Sequence, residues 1–229
     1  MSSRFAILGG LLALAGCPAA PPTSSTTPPP PASVAAPAVR YLALGDSFTI
    51  GTGSSAAQAF PARLAARCAG RVELHNLAVN GYSTGDVIDR ELPALSAFAP
   101  TYVTFAAGAN DIVRGATPAE YRAHVASVLA SLRASGARIV TLPQPDWSLS
   151  PAARDFGDAP AIHARIVEAN AILRDETAAA GGTYLDLFPL METQARAGMI
   201  APDGLHPSAE AHDAWAAEIA QRDAGPCTR

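Results

Sequence analysis

From Arg40 onward, five short apolar runs alternate with longer helical patterns, and this alternation restricts the possible folds more than any other feature of the chain. The runs cover residues 40–44, 72–77, 102–107, 138–142 and 183–187. Each is nearly continuous in apolar residues, as expected of strands covered on both faces. Strand and helix alternating at this spacing build βα units around a parallel sheet. The expected fold class is therefore α/β, a doubly wound three-layer α/β/α sandwich with a five-stranded parallel sheet.

The helical stretches lie near residues 61–69, 84–92, 118–135, 159–180 and 208–222. One start is marked by Thr117-Pro118-Ala119-Glu120, with Thr as N-cap, Pro in the first turn and Glu three residues beyond the cap; Gly136 ends the same helix. In the last stretch Ala211, Trp215 and Ile219 recur at intervals of four and form its expected buried stripe. The segment 143–158 has no periodicity and follows the fourth strand, so it emerges at the carboxyl edge of the sheet, where open α/β folds bind ligands. It is expected either to line a substrate pocket or to be a surface loop anchored by Trp147 and Phe156.

The first 39 residues stand apart. Arg4 precedes an apolar stretch, 5–15, that is too short to span a bilayer of about 30 Å as a helix. It ends in Leu14-Ala15-Gly16-Cys17, which resembles a bacterial lipobox; residues 1–16 then read as a lipoprotein signal peptide and Cys17 as the lipidated residue. An ordinary secretory signal with an incidental cysteine is the plainer alternative. Residues 17–39 are a Pro/Ala/Ser/Thr-rich run without charge, which cannot build a core and reads as a tether. The folded domain is expected over 40–229, exported and anchored to a membrane through Cys17 rather than spanning it. With Cys17 used for lipid, Cys68 and Cys227 remain, and in an exported protein they read as a disulfide. All 16 basic residues are arginine, and a net charge of -4 without a basic cluster argues against nucleic-acid binding. A monomer is the expected state.

Gly45-Asp46-Ser47-Phe48 closes the first apolar run, and a serine on such a turn holds its hydroxyl at the rim of the sheet. Asp203-Gly204-Leu205-His206-Pro207 supplies a base and an orienting carboxylate in one loop, since a tight turn at Gly204 lets Asp203 reach the His206 imidazole. Pro207 suits the first position of the helix that follows. A serine hydrolase also needs donors for its oxyanion. The Ser47 N–H, the Gly81 N–H in Asn76-Leu77-Ala78-Val79-Asn80-Gly81 and the Asn110 amide in Gly108-Ala109-Asn110-Asp111 all fall at strand ends on one edge of the sheet.

These four blocks, in this order, resemble those of the GDSL, or SGNH, hydrolases, and the resemblance covers about residues 41–222. It implies the flavodoxin-like SGNH hydrolase fold and an ester hydrolase. It makes Ser47 the nucleophile, His206 the general base and acid, Asp203 its partner, and Ser47, Gly81 and Asn110 the oxyanion hole. Ala109 stands where many members have Gly, and Phe48 where the family name implies Leu; neither change removes a catalytic group. The substrates implied are small-molecule, glycan or lipid esters: a carboxylesterase or lipase-like activity first, a carbohydrate O-acetyl esterase or lysophospholipase as alternatives. A non-catalytic binding lipoprotein on the same fold is the rival of another class.

Other polar residues have plainer readings. Asp46 is expected to accept turn amides and Asp111 to brace the Asn110 loop. His75, His124, His163 and His212 lack metal-ligand spacing and read as surface or satisfied core positions; no metal and no cofactor is expected. Gly51-Thr52-Gly53 lacks the third glycine of a nucleotide loop.

Overall fold

The computed structural model describes residues 39–222 and 225–227, so the expected signal, Cys17 and residues 17–38 of the expected tether lie outside the described residues, and Val39, expected in the tether, begins the first strand. Five parallel strands, β1 (Val39–Gly45), β2 (Val72–Asn76), β3 (Tyr102–Ala106), β4 (Arg138–Thr141) and β5 (Thr183–Tyr184), pair in the order β2-β1-β3-β4-β5. Around them lie α1 (Ser47–Ile50), α2 (Phe60–Ala66), α3 (Thr84–Asp86), α4 (Leu95–Phe98), α5 (Ala109–Val113), α6 (Pro118–Ala134), α7 (Ala159–Ala179), α8 (Phe188–Arg196) and α9 (Ala209–Gln221).

The strands divide their side chains between two cores, as the two-residue pleat requires. Leu42, Leu44, Val103 and Phe105 pack on one face with Val125, Val128 and Leu132 of α6 and Ile166 and Leu173 of α7. Tyr41, Ala43, Tyr102, Val140 and Leu142 pack on the other with Phe60 and Leu64 of α2, Met191 of α8 and Trp215 and Ile219 of α9. These two cores give the expected three layers. The predicted stripe of α9 is buried at Ala211, Trp215 and Ile219. Thr117 caps α6 through the Glu120 N–H, and the Glu120 carboxylate accepts from the Thr117 N–H in return.

The structure departs from the sequence reading in several places. The fifth strand is two residues long, because the chain turns toward α8 after Tyr184, although the Leu185 N–H still donates to the Thr141 carbonyl. As an edge strand, β2 is only half-buried rather than covered on both faces. The stretch read as one helix over 84–92 changes pitch: α3 passes into a π-helical turn, Val87–Glu91, and then a 3₁₀ turn, Leu92–Ala94. The wide turn brings Glu91 inward, where it is 1% exposed. Pro207 precedes the Ser208 N-cap of α9 instead of occupying the first helical position. Cys68 lies two residues past α2, and its Cα is 5.6 Å from that of Cys227, a separation a disulfide spans. Among the described residues no helix is long and apolar enough to cross a membrane.

Candidate active site

The carboxyl ends of β1 and β3 face a common crevice, because the chain leaves β1 toward β2 on one side and β3 toward β4 on the other. Such a switch point is where doubly wound sheets bind ligands. Gly45 ends β1 there with φ of +152°, and a Cβ on it would lie 2.2 Å from the Ala106 carbonyl and 2.5 Å from Thr49 Oγ1. Only glycine lets β1 approach β3 this closely and still turn into α1. Asp46 caps α1 by accepting the Phe48 N–H at 3.0 Å, and Ser47 is the first residue of that helix. Its N–H has no acceptor among the described residues.

The histidine loop is held by its own short pairing. The Ala201 N–H donates to the His206 carbonyl at 2.7 Å, the Ser208 N–H donates to the Met199 carbonyl at 3.0 Å, and Ile200 bridges Pro207. Inside this loop Asp203 Oδ1 accepts the N–H groups of Leu205 and His206 at 2.9 and 3.0 Å, while Oδ2 meets His206 Nδ1 at 2.7 Å. Partial burial works to raise the Asp203 pKa; the His206 and Leu205 N–H groups and the imidazole outweigh it and hold the carboxyl below its ordinary value. The His206 ring sits 5.3 Å from the ring of Phe48, and a Cβ built on Gly53 would lie 3.1 Å from Asp203 Oδ2. Both contacts place the Asp203–His206 pair against the turn that carries Ser47. His206 hydrogen-bonds Asp203 through Nδ1, and no hydrogen bond joins its ring to the Ser47 hydroxyl among the described residues.

The loops after β2 and β3 are tied together. Asn110 Nδ2 donates to the Tyr82 carbonyl at 2.9 Å, which leaves the second amide hydrogen of Asn110 uncommitted. Asn76 Nδ2 donates to the Thr49 carbonyl at 3.1 Å, joining the β2 end to α1. Asp111, as expected, is a brace: it accepts the Thr84 N–H at 2.9 Å and the Thr84 hydroxyl, and burial raises its pKa despite those bonds.

Buried carboxyls underlie the turn that carries Ser47. Burial pushes Asp46 up to about 7, against the opposing N–H groups of Phe48, Gly108 and Ala109. Glu91 accepts the Gly45 N–H at 2.9 Å, and burial pushes it up to about 8, with the Asp46 charge adding to the shift. Nothing in the sequence pointed to Glu91, since its role depends on the π-helical turn.

The remaining histidines differ from one another. His75 is exposed, stacks on Phe98 and lies 3.5 Å from Glu73. His124 Nδ1 lies 3.1 Å from Thr84 Oγ1. His163 Nδ1 meets the buried Asp146 at 2.7 Å, so it has a partner that spacing along the chain did not reveal, and both lie within 4.8 Å of Glu192. His212 corrects the reading of a satisfied core position: it is fully buried against Phe60 and Trp215, both ring nitrogens lack partners among the described residues, and burial lowers its pKa to about 4. The segment 143–158 folds down in two 3₁₀ turns, with Trp147 buried and Phe156 exposed at its edge.

Residues 43–214 match the model of the GDSL-like lipase/acylhydrolase family. The chain belongs to that family. A curated relative, esterase TesA of Pseudomonas aeruginosa, is 31% identical over 171 residues, which cover 73% of this chain and 79% of TesA. Among solved structures, a TesA crystal structure superposes with a TM-score of 0.65 at 24% identity, covering 80% of this chain and 96% of that one. The lipase/acylhydrolase from Enterococcus faecalis gives 0.66 at 22% identity, over 80% and 95% of the two chains. Axe2, an acetylxylan esterase from Geobacillus stearothermophilus, gives 0.66 at 15% identity, over 81% and 94%. These structural likenesses bear on the fold, which is the SGNH hydrolase fold. As a member of the GDSL-like lipase/acylhydrolase family the chain is an ester hydrolase.

Proposed function

We propose that the chain is an exported carboxylic ester hydrolase acting through an acyl-enzyme on Ser47. The observation that carries this reading is the Asp203–His206 pair, joined at 2.7 Å and set against the Ser47 turn on the strand edge that also carries Gly81 and Asn110. Serine is a weak nucleophile until a base takes its proton, and an imidazole held at Nδ1 by a carboxylate keeps Nε2 free for that task. Ser47 Oγ adds to the ester carbonyl as its proton passes to His206. The oxygen that becomes negative is met by the N–H groups of Ser47 and Gly81 and the free amide hydrogen of Asn110. Collapse expels the alcohol, which takes the proton back from His206, and water then repeats the sequence on the acyl-serine.

The test is hydrolysis of short p-nitrophenyl esters by the domain from Val39 onward, with Ser47→Ala as control; equal rates would sink the reading. Covalent labelling of Ser47 by a fluorophosphonate probe separates it from a non-catalytic binder, which would not react. For the substrate, the likeness to an acetylxylan esterase and to a lipase/acylhydrolase supports a screen across acyl length, acetylated sugars and lysolipids. We propose further that residues 1–16 are removed and that Cys17 carries the lipid, on the strength of Leu14-Ala15-Gly16-Cys17. A Cys17→Ser protein that stays in the membrane fraction with unchanged mobility would refute the anchor. An oxidising compartment agrees with the 5.6 Å spacing of Cys68 and Cys227, which we propose form a disulfide.

A further inference from the structure

The Gly81 peptide is unusual in what does not hold it. Gly81 has φ of +85°, and a Cβ built on it would meet nothing within 4 Å, so no packing at its Cα holds the two peptides that flank it. Its N–H has no acceptor among the described residues. The turn is closed by the Tyr82 N–H donating to the Val79 carbonyl at 3.2 Å, and is joined to β1 by a long 3.4 Å bond from the Val79 N–H to the Gly45 carbonyl.

What holds it is polar and comes from α5. Arg114, the C-terminal cap residue of α5, donates from Nη2 to the Gly81 carbonyl at 2.7 Å. Its Nη1 donates to Asp86 Oδ2 at 2.7 Å and to Ser83 Oγ at 3.1 Å. Asp86 in turn accepts the N–H of Ser83 at 3.0 Å and pairs with Arg90, whose guanidinium lies over the Tyr82 ring. The next carbonyl, Tyr82, accepts from Asn110 at the other end of α5. Two consecutive carbonyls are thus fixed by the short helix that also presents Asn110.

We infer that Arg114 is a positioning residue for the oxyanion hole: its guanidinium fork holds the Gly81 carbonyl and the Asp86 carboxylate together, which pins the Gly81–Tyr82 peptide and, through the Gly81 Cα, restricts where the N–H of the preceding peptide points beside the Asn110 amide. This rests on the esterase reading given above. A planar fork with two nitrogens in fixed relation can make both contacts at once; an ammonium makes one, and a glutamine amide lacks the charge and the reach. Arg114 does not touch the Asp203–His206 pair, so its effect belongs to the oxyanion and not to the base.

The test is steady-state turnover of p-nitrophenyl acetate by Arg114→Gln and Arg114→Lys, with active sites counted by fluorophosphonate titration of Ser47. Because a misplacement near 1 Å costs about a hundredfold, kcat per titrated site in Arg114→Gln should fall by about tenfold or more, with KM little changed. Arg114→Lys should lie between it and the wild type, and the pH dependence of kcat/KM should keep its midpoint. In an Asn110→Ala background, the same Arg114→Gln change should cost less than it does alone, since both act on one hole. Unchanged kcat per titrated site, a raised KM with kcat intact, or full additivity with Asn110→Ala would overturn the inference while leaving the esterase reading standing. Equal activity of wild type and Ser47→Ala would instead remove the reading on which the inference rests.

Discussion

Replacing Glu91 by Gln should make the protein more stable at alkaline pH and flatten its response to pH. Glu91 is 1% exposed, its Oε2 accepts the Gly45 N–H at 2.9 Å, and its Oε1 has no partner among the described residues. Burial holds its pKa at about 8 in the fold, against an ordinary 4.5 in the unfolded chain. A raised pKa means that the folded state keeps a proton the unfolded state has lost, so the stability Glu91 contributes is fully present below pH 4.5 and is lost as pH rises to about 8. One proton difference gives a slope of about 1.4 kcal/mol per pH unit, and the whole interval amounts to about 5 kcal/mol as an upper bound. Part of that total is shared with Asp46, which titrates near 7 in the same cluster, so the slope is the firmer quantity. Glutamine keeps an acceptor for Gly45 and cannot ionise. Urea denaturation, followed by the fluorescence of the buried Trp147 and Trp215, would be run from pH 5 to 8.5 on both proteins. The variant's stability should decline less steeply by about 1 kcal/mol per pH unit between pH 5 and 7.5, crossing above wild type at the alkaline end. Parallel curves would refute the reasoning, for they would mean that Glu91 ionises in the fold at its ordinary pKa.

Asn110→Ala should lower kcat on p-nitrophenyl esters by about a hundredfold with the fold intact, read by active-site titration alongside turnover. Cys68→Ser with Cys227→Ser should cost about 2–5 kcal/mol by denaturant unfolding, and added reductant should reproduce the loss in the wild type. His212, buried at a pKa of about 4 against an ordinary 6.5, contributes stability that is present above 6.5 and lost as pH falls toward 4. Relative to its value at pH 7, the stability of His212→Leu should therefore fall less than that of wild type at pH 4.5, by up to about 3 kcal/mol; an equal fall in both would show that the ring charges freely in place.

Most of the fold was legible because its evidence is periodic: strands buried on two faces read as apolar runs, and α6 carries a cap and α9 a stripe that survive in the structure. The short helices α1, α5 and α8 escaped, since one or two turns hold too few residues to display a period. Ser47, Asp203, His206, Gly81 and Asn110 could be put forward as candidates because each sits in a compact block whose chemistry is local. Glu91 and Arg114 could not. Glu91 reaches Gly45 across 46 residues by way of a π-helical turn, and Arg114 reaches Gly81 across 33 by way of α5. Neither neighbour announces itself along the chain. The same holds for Asp146 and His163, whose meeting at 2.7 Å depends on how the segment 143–158 folds back onto α7.

Three loops at the sheet edge are bonded to one another: Asn76 to the Thr49 carbonyl, Asn110 to the Tyr82 carbonyl, and the Thr49 hydroxyl to the Ala106 carbonyl, where the third loop leaves β3. Any protein engineer wishing to recast this esterase by transplanting a single loop from a relative would leave two others facing strangers. The unit of exchange is the set of three, moved as one piece, and the segment 143–158 belongs with the histidine loop, since its Ala152 N–H donates to the Gly204 carbonyl at 2.9 Å and its Ser150 hydroxyl to the Leu205 carbonyl at 3.0 Å.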